Sequence, residues 1–193
     1  YKKYCTNCIM KVKIIYFLFL AAIFTGCKLK NKNLLLDFKP LTLNGNINVV
    51  IEIPTGTNEK WEVNKQSGLL ELEILKGNIP RVIDYIPYPA NYGMIPRTLL
   101  PKELGGDGDP LDVIVLGKPI SGGSVVECKL IGVLKLLDRG EQDDKLIAVS
   151  LNSIFNNINS LEELDLEYKG VSEVLKIWFS NYKGEGLMEF KGC

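Results

Sequence analysis

The sequence contains no histidine. That absence excludes Ser-His-Asp and Cys-His nucleophilic catalysis, phosphohistidine chemistry and histidine-ligated zinc together. Acid–base work therefore falls to Asp, Glu, Lys, Tyr or a water held by a metal. Net charge is absent as well, since 23 Lys and Arg balance 23 Asp and Glu. A chain without a basic excess has no global field for nucleic acid, so no nucleic-acid partner is expected. The five cysteines form no disulfide framework. Cys5 and Cys8 make a CxxC pair ahead of the mature chain, Cys128 reads as a buried thiol in an apolar strand, and Cys193 is the last residue. Repeats and low-complexity tracts are missing too, and 193 residues suffice for one domain with a real core.

Ile14 to Phe24 is a long apolar run, yet shorter than the roughly 20 residues a membrane-crossing helix needs. Lys11 and Lys13 precede it and Thr25-Gly26-Cys27 follows, which is the order of a secretory signal. A Cys directly after Thr-Gly resembles a bacterial lipobox, with Phe24 where such boxes usually carry Leu. The expected organisation is upstream read-through over 1–9, with Met10 as the start, and a signal peptide over 10–26. A polar, basic tether over 27–40 and one globular domain over 41–193 follow. Cys27 would carry a lipid and anchor the chain to a bacterial membrane on its periplasmic or surface side. A plain signal peptide with a chance Cys is the alternative. If the signal reading fails, the location is cytoplasmic.

The densest chemistry lies in Gly106-Asp107-Gly108-Asp109-Pro110-Leu111-Asp112. Three carboxylates in one short turn repel one another unless a cation sits between them. Hard cations such as Mg²⁺ take oxygen ligands in this density and share their shell with phosphates. Gly108 lets the backbone bend, Pro110 stiffens the turn, and Leu111 to Val115 reads as the strand leaving it. An ordinary solvated Asp-Gly-Asp turn is the plain alternative. An EF-hand is excluded, because counting from Asp107 puts Leu111 at position five, Asp112 at six and Lys118 at twelve.

A second acidic group, Asp138 and Asp143, brackets a strand connection. Alone it reads as a solvated loop; beside the first it becomes a candidate second metal position. Two metals clamping a water attack phosphorus without a protein nucleophile. Cations and hydroxyls suited to phosphate stand at strand ends and turns: Lys60, Arg81, Lys145 and Lys183, with Tyr88 and Tyr92 in the proline-stiffened loop Ile86 to Gly93. Tyr182, beside Lys183, ends an apolar stripe of helical period formed by Val171, Val174, Leu175, Trp178 and Phe179. Core packing is the default for that stripe.

Strands are expected over Asn46–Ile53, Trp61–Val63, Leu69–Leu75, Arg81–Ile86, Val125–Lys135 and Lys145–Ser150. Asn64 to Gly68 is hairpin material, and Ser160-Leu161-Glu162-Glu163 is a capping-box pattern opening a helix. Many short strands followed by helices predict an α+β fold, a small closed β-barrel with flanking helices.

The sequence from about Val49 to Phe190 resembles the soluble, Mg²⁺-dependent inorganic pyrophosphatases of family I. The signature Asp-Gly-Asp-Pro-hydrophobic-Asp stands at Asp107 to Asp112. Its companions fall in the family's order: Val50-Ile51-Glu52-Ile53-Pro54, Lys60-Trp61-Glu62, Tyr88-Pro89-Ala90-Asn91-Tyr92-Gly93, Gly132-Val133-Leu134-Lys135 leading to Asp138, Asp143 and Lys145, and Asn181-Tyr182-Lys183. The resemblance implies a five-stranded OB-like closed barrel that hydrolyses inorganic pyrophosphate to two phosphates, using several Mg²⁺ ions, with Mn²⁺ or Zn²⁺ as substitutes. It assigns Asp107, Asp112, Asp138 and Asp143 to metal, and Asp109 to the proton of the attacking water. Lys60, Arg81, Tyr92, Lys145, Tyr182 and Lys183 are assigned to phosphate. Glu52 and Glu62 go to the outer metal shell, and Tyr88 to the lining of the site. It also suggests a homo-oligomer. Arg139 stands where the family often has an acidic residue, the stretch around Arg81 differs in length from the commonest bacterial pattern, and bacterial members usually continue past Gly192, which implies a shortened C-terminus. A catalytically weak lipid-anchored relic that binds metal or phosphate, and a phosphohydrolase of a larger substrate, are the alternatives.

Overall fold

Runs rich in Val and Ile form strands that close on one another. The computed structural model describes Lys32–Cys193; the read-through, the signal peptide and Cys27 lie outside the described residues. The strands are β1 (Ile47–Ile53), β2 (Trp61–Val63), β3 (Leu70–Leu72), β4 (Ile74–Leu75), β5 (Ile79–Pro80), β6 (Asn91–Met94), β7 (Asp112–Leu116), β8 (Val125–Asp138), β9 (Glu141–Gln142) and β10 (Lys145–Ser150). Helices α1 (Leu161–Glu167) and α2 (Val171–Asn181) follow, then β11 (Met188–Gly192). β1 pairs β6, β6 pairs β7, β10 pairs β8 and β8 pairs β1, all antiparallel, while β7 and β10 run parallel. These five strands form a closed ring, the OB-like barrel that the sequence predicts. Among the described residues no helix is long and apolar enough to cross a membrane.

Alternation along each strand divides the core. Ile47, Val49 and Ile51 meet Val113, Val115, Cys128 and Ala148, small and β-branched side chains contributed from around the ring. The opposite faces send Ile114, Leu134, Ile147 and Val149 towards Leu164 of α1 and Leu175, Trp178 and Phe179 of α2. β1 and β6 approach so closely at Gly93 that a Cβ there would stand 1.9 Å from the Val50 carbonyl oxygen. The β1–β6 register slips between Ile51 and Ile53, a bulge that frees Glu52 from the ladder.

Ser160 caps α1, its hydroxyl accepting from Glu163 N at 3.2 Å. The Glu163 carboxylate returns to Asn159 N at 2.7 Å, one residue upstream of the cap. Four sequence expectations are corrected. Arg81–Ile86 is not a strand: Arg81 N donates to Glu73 O, closing the short exposed hairpin β4–β5. That hairpin also divides Leu69–Leu75 into β3 and β4. Val174 of the apolar stripe is exposed, while Leu175, Trp178 and Phe179 are buried and Val171 and Tyr182 pack against the same core. The segment read as the end of a tether is packed: Leu34 is buried with Val50, Val63 and Met94, and its N–H donates to Gly68 O. Leu34 and Leu35 remove apolar surface from water against Val50, Val63 and Met94, which accounts for that docking.

Candidate active site

A cavity of about 500 Å³ opens beside β1, β6 and β7 and brings together Lys60, Arg81, Tyr92, Lys145, Tyr182 and Lys183 with Glu52, Glu62, Asp107, Asp109, Asp112, Asp138 and Asp143. Every residue that the family resemblance assigns to metal, phosphate or the proton of water lines this one space. Tyr88 does not. It is buried behind the wall, its ring 5.6 Å from that of Tyr92, 4.4 Å from that of Trp178 and 6.4 Å from that of Tyr182. Tyr88 thus backs the lining residues. Its hydrophobic ring fills the space between β6 and α2, a demand that motif position alone does not show.

The acidic turn has the bent form its residues predict. Asp109 N donates to Asp107 Oδ1 at 2.8 Å, and Gly108 takes φ +81°, which only glycine adopts without strain. Leu100 N donates to Asp109 O and Gly108 N to Leu100 O, so the turn is tied to the preceding segment. Asp112 is the first residue of β7 and projects from a rigid strand.

Lys145 holds the two acidic groups together. It is 2% exposed, and its ammonium donates to Asp112 Oδ2 at 2.5 Å and Asp143 Oδ1 at 2.7 Å. Burial pulls its pKa down, but Asp112 and Asp143 outweigh that and hold it above the ordinary lysine range. Lys183 donates to Asp138 Oδ2 at 2.7 Å and lies 3.5 Å from Asp143 Oδ2. Its pKa is raised too: burial opposes the rise, and Tyr182, Asp138 and Asp143 overcome it. Arg81 is held by Glu73 through contacts of 2.8 and 2.9 Å.

The tyrosines stay protonated. Burial raises Tyr92 well above its usual pKa, and Asp112 adds to that. Burial likewise raises Tyr182, against the pull of Lys183 and Lys145. Both present an O–H donor across the physiological range. The ammonium groups of Lys60 and Lys145 lie 5.7 and 5.8 Å from the Tyr92 ring centre, so two cations lie against this one ring.

Glu52, freed by the bulge, is buried and accepts from Val63 N at 2.7 Å. Burial pushes its carboxyl from 4.5 up to about 7, against the pull of Lys60. The fold therefore holds a proton there that the unfolded chain releases. The resulting stabilisation is complete below about pH 4.5 and is lost as pH rises through 7. Glu52→Gln keeps an acceptor for Val63 and cannot ionise. In metal-free protein the wild type is expected to lose up to about 3 kcal/mol relative to this variant between roughly pH 5 and 8. Urea midpoints at both pH values measure it, and parallel pH dependences of the two proteins would contradict it.

The donor set fits a hard cation. All its ligand atoms are oxygens. Asp138 Oδ1 is buried without a hydrogen-bond partner, a costly state that a cation would relieve. Seven acidic side chains face five cationic ones, so even with Glu52 protonated the lining carries an excess of negative charge. Among the described residues no three Asp, Glu or Cys side chains already close on one point; Lys145 and Lys183 each sit between two carboxylates, and Lys65 pairs with Asp109.

Sequence reasoning missed Lys65, Asn64, Gln66 and Leu35, which also line the cavity. The hairpin at Asn64 to Gly68 was the available signal for the first three. Nothing local marks Leu35, which arrives through the docking of the N-terminal segment.

A sequence profile described as inorganic pyrophosphatase matches residues 49–190. An inorganic pyrophosphatase of Campylobacter jejuni is 39% identical over 141 residues, covering 71% of this chain and 74% of that one. The crystal structure of the inorganic pyrophosphatase from Thermus thermophilus superposes with a TM-score of 0.69 at 28% identity, covering 83% of this chain and 88% of that one. The type I enzyme of P. falciparum gives 0.69 at 28% identity; the match covers 76% of this chain and only 51% of that longer one.

Proposed function

This chain belongs to the inorganic pyrophosphatase family, and we propose from that premise that its cavity hydrolyses inorganic pyrophosphate to two phosphates with the help of several Mg²⁺ ions. One observation carries the metal requirement: the cavity offered to a highly charged anion is itself net acidic. Without added cations such a lining repels the substrate.

Asp107, Asp112, Asp138 and Asp143 would hold the magnesium. Bound there, it neutralises the lining and lowers the pKa of a coordinated water from about 15.7 towards 7. Asp109 stands at the rim of the same turn and would accept the proton of the water that attacks phosphorus. The new P–O bond forms while the bridging P–O bond breaks, and the leaving phosphate departs with the bridging oxygen. Lys60, Lys145, Lys183 and Arg81 bind the phosphate oxygens, and Tyr92 and Tyr182 donate O–H bonds to them. These preorganised donors offset charge that grows on the leaving group. Glu52 and Glu62 complete the acidic surround from β1 and β2.

Phosphate release from Mg²⁺-pyrophosphate by the purified protein tests the reading. Release that requires Mg²⁺ and stops on chelation is expected. A folded protein that releases no phosphate from this substrate overturns it.

A further inference from the structure

Lys65 is a cavity cation to which neither the acidic motif nor the family resemblance gives a role. It sits in the turn between β2 and β3, and that turn is bound at many points. Asn64 Oδ1 accepts from Gln66 N at 2.8 Å and Ser67 N at 3.0 Å. Glu71 accepts from Asn64 Nδ2 at 2.9 Å and Ser67 Oγ at 2.8 Å. Gly68 N donates to Asn64 O, and Leu34 N to Gly68 O. The backbone on either side of Lys65 is therefore tied down by hydrogen bonds, while the Lys65 side chain is 62% exposed.

From that base the ammonium crosses the cavity mouth and pairs with Oδ1 of Asp109, 44 residues away in sequence. The pair joins the hairpin to the acidic turn. Its side chains remain 62% and 44% exposed, so it adds little to folding. Its effect falls on the site. Lys145 and Lys183 also pair with carboxylates, but they are largely enclosed and stand deeper, among Asp112, Asp138 and Asp143. Among the described residues Lys65 alone pairs with the Asp109 carboxylate at the rim, and a cation already seated there competes electrostatically with any other that enters.

We propose that Lys65 is a positioning residue that holds Asp109 across the mouth of the metal-free cavity and is displaced as metal ions load, thereby setting the Mg²⁺ concentration at which the site fills. The inference rests on the reading of this cavity as a magnesium-loaded site. Deletion of this cation therefore tightens metal binding. A lysine that served only the fold would weaken it or leave it unchanged.

Calorimetric titration of the substrate-free protein with Mg²⁺ tests it, with Lys65→Met and Lys65→Arg beside the wild type. Lys65→Met is expected to bind Mg²⁺ about three- to tenfold more tightly, the effect of removing one like charge across screened, solvent-exposed space. Lys65→Arg restores the charge and stays within about twofold of the wild type. The advantage of Lys65→Met shrinks as KCl approaches 1 M, where the screening length is about 3 Å. Equal or weaker Mg²⁺ binding by Lys65→Met, beside a wild type that binds, overturns the role of Lys65 and leaves the metal site standing. A wild type that binds no Mg²⁺ overturns the metal site and this role with it.

Discussion

Asp112→Asn lowers Mg²⁺-dependent phosphate release by about 10³-fold or more while the protein stays folded. The size follows from what the carboxylate does. Asp112 projects from the first position of β7 and is one of two acids that Lys145 joins. Replacing it with an amide keeps its shape and an oxygen acceptor but removes a full charge from the centre of the proposed metal set. Metal stabilisation of a phosphoryl transition state is worth several kcal/mol, and about 4 kcal/mol is a factor of 10³. Folding survives because the Lys145 ammonium keeps Asp143 at 2.7 Å. Steady-state phosphate release at saturating Mg²⁺ measures the loss, and the circular dichroism spectrum shows that the fold persists. A variant that keeps more than a tenth of wild-type turnover contradicts the assignment of Asp112.

What the sequence shows of this site is what lies close together along the chain. Asp107, Asp109 and Asp112 are held by one turn and one strand start, so their spacing alone carries their meaning. Asp138 and Asp143 are legible for the same reason, as the two ends of one strand connection. Residues whose place depends on distant partners are not legible. The Lys65–Asp109 pair spans 44 residues. Tyr88 reads as a site residue because it shares a motif with Tyr92. Only the arrival of α2 decides that Tyr92 faces the cavity and Tyr88 the helix. β6 was concealed in a loop rich in proline and tyrosine, and its strand form comes from pairing with β1 and β7 on either side. The barrel follows from β-branched runs. Its closure needs the β1–β8 pairing, in which Ile47 meets Cys128 from 81 residues away.

Trp178→Ala is expected to cost about 3–5 kcal/mol of stability, the range for truncating a buried tryptophan. Trp178 is 1% exposed. It stacks on Tyr182 with centroids 4.6 Å apart and planes 12° apart, meets Tyr88 at 4.4 Å and Phe179 edge-on at 4.7 Å. Its Nε1–H donates to Ile86 O at 2.9 Å, pinning the segment before Tyr88. Domains of this size are stable by about 5–15 kcal/mol, so the melting temperature should fall by roughly 10 °C. The site is affected as well. Tyr182 loses the ring that backs it, and Lys183 follows Tyr182 in the chain. Small displacements of positioning groups cost up to about 10²-fold in rate, so kcat/KM should fall by about tenfold even where the variant remains fully folded. Trp178→Phe separates the two contributions. It keeps an aromatic ring against Tyr182 but loses the donor to Ile86, and should cost about 1–3 kcal/mol with most activity retained. Thermal melts and kcat/KM measured well below the transition check both. A Trp178→Ala protein that melts within a few degrees of the wild type shows that the aromatic stack is not what holds α2 to the barrel. One that is destabilised yet fully active when folded shows that Tyr182 takes its position from the barrel strands instead.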